Sequence, residues 1–182
     1  MSTTEKAITQ TINWINKVVI GCNFCPFAAK VLNDNKVKCS VEESYSPSIC
    51  IDSFLKELLF LDSNPTIETS FLIFTNAFKN YDEYLQFVSK AESLLKKNEY
   101  SGIYQVASFH PNYLFADSKE EDAENYTNRS IYPMVHLLRE SSIDKAVEFY
   151  TNTHSIPEKN IAFAKQKGEL YMKMLRDSCF NI

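Results

Sequence analysis

Glycine is scarce in this chain of 182 residues, which contains only Gly21, Gly102 and Gly168. Dinucleotide-binding loops and Walker loops both need several clustered glycines, so neither kind of nucleotide site is predicted. Basic residues are not in excess either, because 19 Lys and Arg stand against 23 Asp and Glu and give a net charge of −4. A nucleic acid is therefore not expected as a partner.

Long hydrophobic runs are also missing. The most apolar stretch, at 54–61, is interrupted by Lys56 and Glu57 and is far shorter than the roughly 20 residues of a membrane helix. The first six residues lack the basic start and apolar run of a secretory signal. The five cysteines form an odd, scattered set, unlike the even framework of a secreted scaffold. We expect a soluble cytoplasmic protein with no membrane partner.

Length and composition favour a single domain over residues 1–182, since roughly 150 residues per domain is typical. Apolar residues recur every three or four positions in three segments, which predicts helices at 4–20, 48–61 and 81–97. Alternating or continuous apolar runs predict strands at 36–43, 71–74 and 103–109. This order predicts an α/β fold: a small three-stranded sheet, parallel or mixed, flanked by helices, with an N-terminal helix and a C-terminal helical segment.

The region after the third predicted strand has no sustained periodicity between residues 111 and 130. Loops of that length inside a compact domain are usually functional or disordered. Three helices are expected after this loop, each with a serine that can cap its first turn, beginning near Ser130, Ser141 and Ser155. His154, between the last two of these helices, is expected to face solvent.

Cys22 and Cys25 form a Cys-x-x-Cys pair directly after the first helix. A redox pair of the thioredoxin type would follow a strand, and a zinc knuckle would need a second Cys or Cys/His pair nearby. Two small buried side chains packed beside Phe24 and Phe27 are the simpler interpretation. Pro26 nevertheless places Cys25 near the start of a short helix, where a nucleophile or a metal ligand would be activated.

The long loop and its edges concentrate polar side chains that can bind a ligand. His110 is expected at the carboxyl end of the third strand, where open α/β sheets place their ligands. Arg129 follows the amides Asn125 and Asn128, and Tyr126 could line a pocket beside them. The alternative is that these side chains only fix the loop through hydrogen bonds to the backbone.

The helix predicted from Ile131 would carry a second polar set. His136, Arg139 and Glu140 are spaced to share one face of that helix. Glu140 could orient the imidazole, while Arg139 offers a planar fork to a carboxylate or a phosphate. The alternative is a solvated pair on the surface.

Three strings of this sequence resemble a family of bacterial and plastid proteins of about this length, known as domain-of-unknown-function family fourteen-fifteen. They are CPFA at 25–28, SFHPNYLF at 108–115 and NYTNRSIYPMVHLLRE at 125–140. The resemblance covers nearly the whole chain and implies no activity. Cys22 is usually another residue in that family, so chemistry of the Cys-x-x-Cys pair would be peculiar to this chain. The matching residues carry no known role: Cys25, His110, Asn125, Asn128, Arg129, His136, Arg139 and Glu140.

These residues predict a small-molecule enzyme of the hydrolase or transferase type with an anionic substrate. In this hypothesis His110 and His136 act as acid, base or metal ligands, and Cys25 acts as nucleophile or third ligand. The substrate would be held by Arg129, Arg139, Asn125, Asn128 and Tyr126. The alternative is a non-catalytic ligand- or metal-binding module whose polar motif is structural. No cofactor and no oligomeric state is assigned from the sequence.

Overall fold

The computed structural model describes residues 1–149 and 155–181, and in this part of the chain it has a mixed α/β fold with seven α-helices and one sheet. The strands are β1 (Val37–Glu42), β2 (Thr69–Phe74), β3 (Tyr104–Phe109) and β4 (Met134–Arg139). The helices are α1 (Thr3–Trp14), α2 (Ala28–Asn33), α3 (Pro47–Ser63), α4 (Tyr81–Lys97), α5 (Glu140–Phe149), α6 (Ile156–Lys167) and α7 (Glu169–Asp177). A π-helical segment, Ile15–Ile20, continues α1. The prediction for His154 lies outside the described residues.

The sheet is mixed and has four strands in the order β1-β2-β4-β3. β1 and β2 are parallel, whereas β4 lies antiparallel to both of its neighbours. The predicted α/β class is therefore confirmed, but the predicted number of three strands is wrong. β4 comes last in the sequence and yet occupies a central place in the sheet.

The helix predicted from Ile131 is wrong, because Met134–Arg139 forms β4. Met134, Val135 and Leu137 are completely buried, since helices cover both faces of this central strand. Such a strand has no alternation of apolar and polar residues and cannot be distinguished from a buried helix by periodicity. In a strand, residues three apart point to opposite faces. His136 and Arg139 therefore do not share a face.

The other helices largely follow the predicted pattern. α1 begins after Ser2, whose side chain forms a reciprocal capping box with Glu5. α5 begins at Glu140 instead of being capped by Ser141, and α6 begins directly after Ser155. α7 was not predicted, and Gly168, with a φ of 82°, separates it from α6. Among the described residues, no helix combines the length and the apolar character needed to cross a membrane.

Two apolar clusters lie on opposite faces of the sheet. Helices α3 and α4 cover one face, where Phe54, Phe74 and Tyr84 are fully buried. α1, the π-helical segment, α6 and α7 cover the other, which we call the α1 face and which contains Trp14 and Phe71. All six residues of β2 are buried because this strand contributes to both clusters.

Candidate functional site

An apolar pocket of about 280 Å³ lies on the α1 face of the sheet. Its floor consists of Phe71 on β2, Ala107 on β3 and His136 on β4. Its walls come from α1, the π-helical segment, α2 and α5. The wall residues include Trp14, Ile15, Val19, Ala28, Val31, Leu32, Ser142, Ile143 and Ala146. A dry protein cavity of roughly 150 Å³ holds benzene. This pocket is therefore large enough for a molecule of about ten non-hydrogen atoms.

The π-helical segment shapes one wall of this pocket. Ile15 and Val19, four residues apart, both line the cavity. The wider turn ends at Gly21, whose N–H donates to the carbonyl of Asn16 at 2.9 Å. A Cβ on Gly21 would overlap the carbonyl oxygen of Lys17, so the local backbone requires glycine here. π-helical segments are rare and often occur at functional sites.

His136 is held on the pocket floor in one orientation. Its imidazole stacks on the ring of Phe71, with centroids 3.8 Å apart and an interplanar angle of 9°. On its edge, Nε2 is within hydrogen-bond contact of Oγ1 of Thr69. That same hydroxyl donates to the carbonyl oxygen of Leu137 at 2.6 Å. A hydroxyl has one proton and a carbonyl can only accept, so Nε2 must be the donor to Thr69.

This arrangement leaves a lone pair on Nδ1 of His136. Burial lowers the pKa of His136 to about 3, so the ring is neutral at pH 7 and carries its one proton on Nε2. No described residue donates a hydrogen bond to Nδ1. Among described side-chain polar atoms that are fully enclosed, only the hydroxyls of Thr11 and Thr75 lack a partner. His136 lines the pocket, so Nδ1 is the ring nitrogen that is available to a ligand there.

The two charged residues that line the pocket are both engaged elsewhere. The Glu68 carboxylate forms an ion pair with Lys36 at 2.8 Å. The Arg139 guanidinium donates to the phenolic oxygen of Tyr104 at 2.9 Å and to backbone carbonyls at and beyond the end of α3, those of Leu61, Asn64 and Ile67. The described residues of the pocket consequently offer no free charge to a ligand.

Cys25 lines the same pocket as His136. Burial raises the pKa of the Cys25 thiol, and hydrogen bonds from the backbone of Phe27 and Ala28 offset this only in part. The side chain is therefore a neutral thiol at pH 7. Of the three residues predicted to be catalytic, the structure brings these two to one cavity.

His110 lies elsewhere, against α4. Its Nε2 donates to the carbonyl of Phe78 at 2.8 Å, and its Nδ1 accepts from the backbone N–H of Asn112 at 2.9 Å. Its ring also packs against Tyr81 and Tyr84, with centroids 5.0 and 4.9 Å away. Burial lowers the pKa of His110. Both ring nitrogens are occupied, and the structure does not bring this imidazole together with that of His136.

The side chain of Arg129 holds separate parts of the long loop at 111–130 together. Its Nε donates to the carbonyl of Tyr113 at 3.0 Å and its Nη2 to that of Glu120 at 2.9 Å. The guanidinium lies over the ring of Tyr126, 4.8 Å from its centroid, and the residue is only 8% exposed. Arg129 therefore fixes backbone that is distant in sequence and does not line the pocket.

The neighbouring polar residues of the motif are engaged in the same way. The Asn125 amide donates to the carbonyl of Lys119 and accepts from Phe115 and Ser118. Asn128 donates to the carbonyl of Ser108, and the Tyr126 hydroxyl donates to the carboxylate of Glu169. Glu140 starts α5, with its N–H bonded to the carbonyl of Ile103.

Most residues of the pocket were not predicted as site residues, including Thr69, Phe71, Ala107 and Phe109. The sequence feature that could have indicated this pocket is Thr69, a polar residue beside the buried apolar run of β2. No set of three or more His, Cys, Asp or Glu side chains among the described residues is arranged to hold a metal ion.

Comparison with known proteins gives one family match. The family described as "Protein of unknown function (DUF1415)" matches residues 6–174 of the 182-residue chain. No curated protein and no solved structure matches it. The matched range includes the pocket floor, Cys25 and the whole string at 125–140.

Proposed function

Because the chain belongs to the family described as "Protein of unknown function (DUF1415)", which carries no stated activity, we propose a function from the geometry alone. The protein binds a small, neutral and largely apolar molecule in the pocket on the α1 face. The observation that carries this proposal is a pocket of about 280 Å³ whose walls are apolar and whose two charged residues are engaged elsewhere. Ligand pockets in proteins are typically concave and apolar with a few placed polar groups.

The size of the pocket sets the expected affinity. Ligands gain between roughly −0.3 and −1.5 kcal/mol per non-hydrogen atom, with the larger values for the smallest molecules. At an intermediate value of about −0.7 kcal/mol, a ligand of about ten atoms reaches −7 kcal/mol, and its Kd is on the order of 10 μM.

The protonation states of the pocket favour binding over catalysis. A Cys–His catalytic pair works through a thiolate and an imidazolium. Burial raises the pKa of Cys25 and lowers that of His136, so both shifts oppose this ion pair. Arg129 and Arg139, predicted to hold an anionic substrate, donate to backbone carbonyls.

The test uses 4-propylphenol, which has about ten non-hydrogen atoms. Trp14 is the only tryptophan and lines the pocket, so its fluorescence reports occupancy, and calorimetry gives the Kd. We expect Ala107→Phe to fill the cavity and weaken binding at least tenfold. Gln105→Phe is the matched control, because it adds the same ring to an exposed position of the same strand. No binding by the natural protein, or equal binding by Ala107→Phe, would contradict the proposal.

A further inference from the structure

We infer that the ligand of this pocket carries a hydrogen-bond donor, a hydroxyl or an N–H, which is received by Nδ1 of His136. This inference rests on the proposed function and narrows it from neutral apolar molecules in general to those with one donor. The carrying observation is the occupied Nε2 edge, which leaves Nδ1 as the acceptor on the pocket floor.

Thr69 is the positioning residue for this acceptor. β2 and β4 are antiparallel with Thr69 opposite Leu138 and Phe71 opposite His136. This register places the Thr69 hydroxyl beside the carbonyl of Leu137, which takes its only proton. The hydroxyl oxygen can then only accept from His136, so the strand pairing itself selects the tautomer.

The orientation of the ring limits how a ligand approaches. The imidazole is nearly parallel to the Phe71 ring that covers one of its faces. A ring nitrogen accepts a hydrogen bond in the plane of the ring, so the donor must come edge-on at Nδ1. The apolar body of the ligand then extends toward the walls that contain Ile15, Val19 and Ile143.

Other ligand classes fit less well. A ketone, an ether or a carboxylate would place an oxygen lone pair against the Nδ1 lone pair and lose its hydration without a new donor. A carboxylate also meets no free cation among the described pocket residues, because Arg139 is engaged. A metal ion would need more donors than the pocket supplies, since no group of three candidate ligands occurs among the described residues.

The experiment compares three ligands by calorimetry on the natural protein. 4-Propyltoluene has the same number of non-hydrogen atoms as 4-propylphenol but no donor, and 4-propylbenzoate carries a negative charge. One net hydrogen bond makes the phenol about 2- to 12-fold tighter than the toluene. The benzoate is expected to bind at least tenfold more weakly than the toluene. Equal affinity of phenol and toluene, or a tighter benzoate, would overturn the inference.

His136→Phe removes the acceptor while keeping a ring against Phe71. The Thr69 hydroxyl retains its bond to Leu137, so no buried donor is orphaned. The preference for phenol over toluene should disappear, with toluene affinity changed less than about threefold. An unchanged preference would show that the donor binds elsewhere.

Thr69→Val provides a second variant that leaves His136 in place. Without the hydroxyl, nothing fixes the proton on Nε2, so the preference for 4-propylphenol over 4-methylacetophenone, a ketone with the same number of non-hydrogen atoms, should fall. In the natural protein, ¹⁵N NMR should show protonated Nε2 and unprotonated Nδ1, and a protonated Nδ1 would overturn the inference. If neither phenol nor toluene binds, the proposed function fails as well. If both bind equally, only the inference fails.

Discussion

Replacing Arg129 with Met tests whether the motif at 125–130 holds the loop together or binds a ligand. The change keeps most of the apolar stem and removes the donors to the carbonyls of Tyr113 and Glu120. It also removes the contact between the guanidinium and the ring of Tyr126.

The expected loss follows from these contacts. Hydrogen bonds that involve a charged group contribute roughly 1.5–3 kcal/mol each, and a cation–π contact adds about 0.5–2 kcal/mol. Because Arg129 is 8% exposed, water can reach part of the site, and Met recovers part of the packing. The lower ends of these ranges therefore apply, and the free energy of unfolding should fall by about 3.5 kcal/mol.

Urea unfolding followed by Trp14 fluorescence measures this loss. Trp14 donates from its indole to the carbonyl of Arg129 at 3.2 Å, so it reports directly on this region. Lys173→Met, at an exposed position of α7, is the control and should change stability by less than about 0.5 kcal/mol. The folded Arg129→Met protein should bind 4-propylphenol within about twofold of the natural protein. Unchanged stability with lost ligand binding would refute the structural role of Arg129.

Three further predictions concern the pocket and its walls. Burial lowers the pKa of His136 to about 3 from 6.5, so the unfolded chain takes up a proton below pH 6.5 while the folded chain stays neutral until about pH 3. Between pH 7 and pH 5 this proton uptake should lower the free energy of unfolding by about 2 kcal/mol. Urea titrations of His136→Phe should no longer show this loss. Gly21→Ala should lose about 1–3 kcal/mol in the same titration, because its Cβ would overlap the Lys17 carbonyl, and full stability would contradict that close approach. Burial raises the pKa of Cys25, so iodoacetamide should alkylate it at pH 7 at least tenfold more slowly than free cysteine in a mass-spectrometric time course. A rate equal to that of free cysteine would contradict the neutral thiol.

Local patterns were sufficient to predict the early part of the fold. The helix predicted at 81–97 has the same bounds as α4, and the strand predicted at 36–43 differs from β1 by one residue at each end. α4 has one face in solvent, and β1 is a half-buried strand at the edge of the sheet, so the periodicity of both appears in the sequence. The family resemblance is also confirmed by the match over residues 6–174.

β4 was missed because its environment erases the signal that identifies a strand. Helices bury both faces of Val135 and Leu137, and the polar residues His136 and Arg139 suggested a helical face instead. Their actual partners, Phe71 on one side and the end of α3 on the other, are far away in the sequence. Only tertiary structure decides between the two interpretations.

The candidate site was predicted in part. Cys25 and His136 were singled out and do line one pocket, although their roles stay predictions. The remaining polar residues attracted attention because loops with many amides and arginines often bind ligands, yet Arg129 and Asn125 donate to backbone carbonyls of the loop itself. An apolar pocket assembled from separate segments leaves no comparable mark on a sequence. The single-domain organisation and the cytoplasmic location also stay predictions.

The most direct test is an isotope-filtered NOE experiment on the labelled protein with 4-propylphenol. Bound in the pocket, the ligand should show NOEs to the methyl group of Ala107 and to ring protons of Phe71 and Phe109, which line the cavity. NOEs only to residues outside the pocket, or none with ligand at millimolar concentration, would contradict the account.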